Sequence, residues 1–329
     1  MKKLICVILS LVMILSLTAC ASSEEALTPT GYTYTVAIVQ QLDHSSLDEI
    51  RTAIEAQLKA LGEKSEIPVV FNITYENGQN DASMLNQIGT QVVSDGVDMI
   101  IPIATLAAQY AVLAAEGTDI PIVYAAISDP EGAGLTGIDT VTGVSDALNT
   151  NFIMDMMFAA DPDIQTVGLL YSNSEINSEA PIRDAKAYLD AKGIAYVEKT
   201  GNTANEVIAA ASDLVGRVDA VFTPTDNVVM ATEAAVAELL NGAGIPHYTG
   251  ADSFVTSGAF ATCGVNYTEL GTKTADIAFE ILQGGAIGDF HIMDGGIITV
   301  NTETAQMCGI DYAVFKDMAN TVNEVVTAE

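Results

Sequence analysis

The 329-residue chain contains no tryptophan, only three histidines and only 12 Lys and Arg against 43 Asp and Glu, a formal net charge of -31. Each shortage excludes something. A surface so short of positive charge repels a polyanion, and no basic cluster overrides it, so nucleic acid is not an expected partner. His44, His247 and His291 are not spaced like a metal site, and no G-x-S-x-G nucleophile elbow or P-loop occurs. No metal, no cofactor and no catalytic group is therefore expected. Without tryptophan, the stacked aromatic walls of a sugar site also have little to be built from.

Long apolar runs are equally scarce, apart from one at the start. Lys2 and Lys3 precede an apolar stretch from Leu4 to Leu17 that ends in Leu17-Thr18-Ala19-Cys20. A basic start, a short apolar run and small residues before the cut make a secretion signal over residues 1–19. Cys20 at the cut resembles the lipobox of bacterial lipoproteins, whose thiol is diacylated. The mature chain then begins at Cys20, on the extracytoplasmic face of the cell membrane, with a net charge of -33 once Lys2 and Lys3 leave. Residues 20–33 read as a lipidated tether, Ala21 to Thr30 being small, polar and aperiodic. With Cys6 lost and Cys20 acylated, Cys263 and Cys308 remain, either as a disulfide or as two thiols.

After the tether, short β-branched runs alternate with longer amphipathic segments, which predicts an α/β fold of doubly wound parallel sheets. Leu47, Ile50, Ile54, Leu58 and Leu61 recur at helical spacing before Gly62, with Ser45 or Ser46 as the expected N-cap. The stretches from Val36 and from Val167 both run strand, polar loop, helix, glycine, strand. That duplication predicts two lobes with a ligand cleft between them: residues 34–146 and 258–285 in the first, 147–257 and 286–329 in the second. Gly132, Gly134 and Gly137 satisfy G-x-G-x-x-G, yet an extended stretch follows instead of a helix, so no dinucleotide site is expected there.

In open α/β sheets ligands bind beyond the carboxyl ends of the strands. The first half places Gln40, Ser45, Ser46, Thr105 and Ser128 there; the second places Tyr171, Ser174, Asn177, Asp226, Asn227 and Asp252. Singly, each is explained as a turn former or helix cap. Together they furnish both walls of a cleft. Free amides at helix starts near Ser45–Ser46 and Thr105 would receive a carboxylate, and Asp226 would pair with an ammonium, so an amino acid is the expected guest. Tyr124, Tyr171, Tyr248 and Phe254 are the candidate apolar walls.

The segments VAIVQQLDHSSLDEIRTAIEAQL, IIPIATLAAQ, PIVYAAISDPEGAGL, VTGVSD, LLYSNSEINS, VFTPTDN and GADSFVTSGAFATCGVNYTELGTKTA, in that order, are similar to the ABC-transporter substrate-binding lipoproteins of the TrpX type. Two positions depart from the pattern, Ser45 and Leu106 standing where proline is common. The resemblance implies a type I periplasmic-binding-protein fold and capture of a small solute, often an aromatic amino acid, for delivery to a membrane permease. It implies carboxylate contacts at Ser45, Ser46 and Thr105 and amino-group contacts at Asp226 and Asn227. The protein is expected to be a monomer whose partners are the small-molecule ligand, the ABC permease and, through acylated Cys20, the lipid bilayer. A lipid-anchored sensor or adhesin on the same fold, or a binder of a nucleoside or sugar, is the alternative.

Overall fold

The computed structural model describes residues 31–328. The leader, Cys20 and the segment Ala21 to Thr30 lie outside the described residues. Among those described, no helix is long and apolar enough to cross a membrane.

The first lobe runs β1 (Tyr32–Gln40), α1 (Ser45–Lys64), β2 (Val69–Asn77), α2 (Ala82–Ser94), β3 (Met99–Ile103), α3 (Thr105–Ala114), β4 (Ile122–Ala125) and β5 (Val141–Ser145). All these strands are parallel, in the order β5-β4-β3-β1-β2. Strand β1 already begins at Tyr32, inside the expected tether, because Tyr32 and Thr33 pair with Val69 and Val70. In the middle of the sheet, β3 and β4 are buried on both faces, which is why they read as continuous apolar runs.

The second lobe repeats the plan with α4 (Thr150–Ala160), β6 (Thr166–Tyr171), α5 (Glu179–Lys192), β7 (Ala195–Thr200), α6 (Ala204–Leu214), β8 (Ala220–Thr223), α7 (Asn227–Met230), α8 (Glu233–Gly242), β9 (His247–Thr249), α9 (Asp252–Thr256) and β10 (Ala261–Gly264). Its sheet runs β10-β9-β8-β6-β7, the same winding as in the first lobe. The duplication read from the sequence is thus a duplication of topology.

Two boundaries differ from the expected ones. The second crossing is not at Ser257–Gly258: β10 pairs with Tyr248 and Thr249 of β9, so the chain leaves the second lobe only after Gly264. It returns as α10 (Tyr267–Leu282), which lies against α1 so closely that a Cβ on Gly271 would sit 2.5 Å from the Ile50 carbonyl oxygen. The next strand, β11 (His291–Ile292), pairs with β5, so the first lobe extends past the expected limit of residue 285. Strand β12 (Ile297–Asn301), α11 (Thr302–Cys308) and β13 (Thr321–Val325) then complete the second sheet. Because β12 enters from the opposite direction it pairs antiparallel with β10, so this sheet is not purely parallel.

The predicted stripe on α1 faces the core, Leu47, Ile50, Ile54 and Leu58 being buried. Gly62, expected as its terminator, lies inside the helix, where a side chain would strike the Val69 carbonyl. Gly193 does terminate α5, in the left-handed conformation (φ 70°) that relieves a helix end. Cys263 is buried and Cys308 half-buried, and both are free thiols.

Candidate functional site

The carboxyl ends of both sheets face each other across a junction where the lobes meet directly. Gln41 Nε2 donates to Glu175 Oε1 (2.8 Å), His44 Nε2 lies 3.2 Å from Asn227 Oδ1, and Ser128 Oγ lies 2.9 Å from Thr225 Oγ1. Between them is a small cavity of about 30 Å³, far below the roughly 300–1,000 Å³ of a typical ligand pocket. Any ligand larger than a water molecule therefore enters by separation of the lobes.

Neither helix N-terminus of the first lobe that borders this cavity is capped by the side chain of its own N-cap residue. Asp81, Asn149, Thr203, Asp226, Asn266 and Asn301 cap their own helices with a side-chain oxygen. By contrast α1 begins after His44 and α3 after Ala104 with no side-chain cap. The expected serine cap of α1 is replaced by His44, whose extended backbone ends the loop. Free amides and the positive ends of two helix dipoles therefore lie at the cavity, where an anion is favoured. The Leu106 amide is held by Gln41 Oε1 at 2.9 Å.

The backbone is strained at the same place. Ala104 (φ 73°, ψ 163°) and Ala126 (φ 57°) follow β3 and β4 and line the cavity in conformations that side chains avoid. Each costs on the order of 1–3 kcal/mol and persists only where its surroundings impose it. Buried His44 Nδ1 and Ser253 Oγ, on opposite walls, find no hydrogen-bond partner among the described residues. The apolar share of the lining comes from Leu47, Ala251, Met230 and Phe254.

Of the residues singled out in the sequence, Ser46, Thr105, Ser128, Asn177, Asp226 and Asn227 line this cavity. Gln40, Ser45, Tyr171 and Ser174 do not. Gln40 is wholly buried beneath the loop after β1, its amide donating to Leu42 O, Asp43 and Asp48. Ser45 is exposed, Ser174 is held by its own lobe through its hydroxyl, 2.7 Å from Ser172 Oγ, and Tyr171 donates to Glu198 on the outer surface at 2.9 Å. Asp252 stands just outside the lining, between Ala251 and Ser253, which are part of it. Among the candidate walls only Phe254 qualifies, since Tyr124 and Tyr248 are buried in lobe cores.

Four further positions at this junction are not marked by any sequence pattern. Gln41, Glu175, Asp146 and Tyr267 meet here only because distant segments converge, and no spacing rule announces that. Nor does spacing reveal the buried chain in which Glu233 Oε1 lies 2.9 Å from His247 Nδ1 and Thr223 Oγ1 lies 2.8 Å from His247 Nε2. Its order resembles a catalytic triad, yet all three residues are sealed in the lobe core. They brace the end of β8, from which Pro224 to Asp226 enter the site.

Burial dominates the ionisation of the site. It pushes the Glu175 carboxyl up to about 7, with the neighbouring Asp226 charge adding to it. Burial likewise raises Asp146, Asp226, Glu233 and Asp252, and lowers His44. A carboxyl raised on folding binds its proton more tightly in the folded state, so its stabilisation is present below the unfolded value and lost as pH rises through the folded one. For Glu175 that window runs from 4.5 to about 7. His44 acts in the opposite sense, but the carboxyls outnumber it. The thermal midpoint is expected to be higher at pH 5.5 than at pH 8, and Glu175→Gln should flatten the slope between them. A midpoint that climbs with pH would contradict this.

Residues 35–318 match the family described as ABC transporter substrate binding protein. A tyrosine-binding protein of Clostridioides difficile (strain R20291) is 32% identical over 291 residues, covering 86% of this chain and 83% of that one. The structure of an ABC domain in complex with L-Trp from Streptococcus pneumonia is 29% identical, with a TM-score of 0.81 over 88% of this chain and 99% of that one. A ligand-free, open substrate binding protein with adhesive properties from Clostridium difficile is 31% identical, with a TM-score of 0.67 over 90% of this chain and 100% of that one. At nearly equal identity the superposition is better on the L-Trp complex than on the open form, in keeping with lobes that touch. The chain belongs to the ABC transporter substrate-binding protein family and has the type I periplasmic-binding-protein fold.

Proposed function

We propose that this protein captures an α-amino acid with an aromatic side chain by closure of its two lobes and presents it to an ABC permease, anchored outside the membrane by acyl chains on Cys20. The observation that carries this reading is the cavity itself. Two helix N-termini that their own N-cap side chains leave open, buried carboxylates and an apolar wall with Phe254 converge on it from both lobes. A zwitterion satisfies both kinds of wall only when they meet, so binding and closure favour each other. The relatives described as binding L-Trp and tyrosine support the aromatic side chain.

The test is a thermal-shift screen of the mature chain, stripped of co-purified ligand, against the twenty amino acids, sugars and nucleosides. A ligand at about 100 times its dissociation constant stabilises the fold by roughly 2.7 kcal/mol. Shifts confined to aromatic amino acids are expected; shifts with sugars or nucleosides alone would discard this ligand class. The relative with adhesive properties supports a second reading, a lipid-anchored adhesin. Attachment to a host surface without any response in the screen would favour it.

A further inference from the structure

Three buried carboxylates surround the junction, and their surroundings differ sharply. Asp226 accepts from the amides of Ser172 (2.6 Å) and Val229 (3.0 Å) and from Ser178 Oγ (2.7 Å), besides capping a helix. Its charge is already matched by donors of its own lobe. Glu175 accepts from the side-chain amides of Gln41 (2.8 Å) and Asn227 (2.7 Å) and lies behind the lining.

Asp146 is different. It is 5% exposed, lies on the lining of the cavity and follows β5, where the chain first crosses between lobes. Among the described residues its only side-chain donors are two neutral hydroxyls, Ser128 Oγ at 2.9 Å and Tyr267 OH at 3.3 Å. Among the described residues no Lys, Arg or His forms an ion pair with it, whereas seven such pairs exist elsewhere. A buried carboxylate without a cation is costly, and one facing a ligand cavity marks a functional position.

We infer that Asp146, and not Asp226, is the ammonium anchor of the bound amino acid, with the Ser128 and Tyr267 hydroxyls fixing its carboxylate. This rests on the amino-acid reading above and assigns the cationic half of its site. The carboxylate of the ligand is then left to the helix starts at Ser46 and Thr105. Because Asp146 sits on a crossover segment, the ligand's charge acts on the part of the chain that bends when the lobes close.

The experiment compares L-tyrosine with 3-(4-hydroxyphenyl)propionate, which lacks only the amino group, by calorimetry on the parent, Asp146→Asn and Asp226→Asn. The parent is expected to prefer L-tyrosine by about 100-fold, the range for removing one partner of a buried charge pair. In Asp146→Asn that preference should collapse to within a few-fold, through loss of L-tyrosine affinity alone, while the ligand-free thermal midpoint stays at or above the parental value. Asp226→Asn should keep the preference. Asp146→Ser, which retains a small polar group, repeats the comparison with a different side chain. A parent that binds neither compound overturns the aromatic amino-acid reading itself. A parent that prefers L-tyrosine while the Asp146 variants keep that preference, or while Asp226→Asn loses it, overturns this assignment alone.

Discussion

Asp226→Ala is expected to lower the stability of the second lobe by about 3–5 kcal/mol, whether or not ligand is present. The substitution leaves the Ser172 and Val229 amides and the Ser178 hydroxyl without their acceptor, all in a region closed to water. Each buried donor left unpaired costs on the order of 1–3 kcal/mol, and loss of a helix cap alone costs about 1 kcal/mol. At roughly 2–4 °C per kcal/mol for a protein this large, the thermal midpoint should fall by on the order of 10 °C. Asp226→Asn keeps one acceptor oxygen and should lose about half as much. A variant of parental stability would mean that these three bonds hold nothing together.

Locking the lobes is expected to have the largest effect on binding. Ser128 and Thr225 face each other from opposite lobes with their oxygens 2.9 Å apart. That separation is compatible with the Cβ spacing of about 3.5–4.5 Å that a disulfide spans. The oxidised double variant Ser128→Cys/Thr225→Cys should therefore form a bridge that holds the cleft shut. Ligand exchange should slow by about 100-fold or more and recover on reduction, since closure gates access to the site. Neither single variant should show this. Cys263 and Cys308 interfere little, because burial pushes both thiols up to about 11 and leaves almost no thiolate at neutral pH. Unchanged exchange with the bridge confirmed by thiol titration would mean that ligand reaches the cavity by a path that needs no opening.

Local chemistry made much of this fold legible. Strands such as MIIPI are buried on both faces, so their apolar runs stand out between helices that alternate in character. The duplicated order of strand, loop and helix disclosed two lobes for the same reason. What remained hidden depends on neighbours distant in sequence. Nothing near Ala261 says that β10 stays in the second sheet; its pairing with Tyr248 and Val300 does. Likewise, Gln40 and Gln41 are adjacent and chemically identical. The alternation of a strand end turns one beneath its own loop and the other to Glu175, across the cleft. Polar residues at strand ends lead to the junction between the lobes, but their spacing does not tell which of them line its cavity.

The passage of the chain through both sheets has a consequence for how the protein is made. The first sheet receives its sixth strand from His291–Ile292, and the second is finished only by Thr321–Val325. Neither lobe is a continuous piece of polypeptide, so an emerging N-terminal half cannot close its own architecture. Contacts this far apart in sequence form slowly, and intermediates that wait for them expose apolar surface. Fragments cut between the lobes should therefore be poor autonomous folders. A chain exported in an unfolded form would complete both lobes only after its last few dozen residues had arrived.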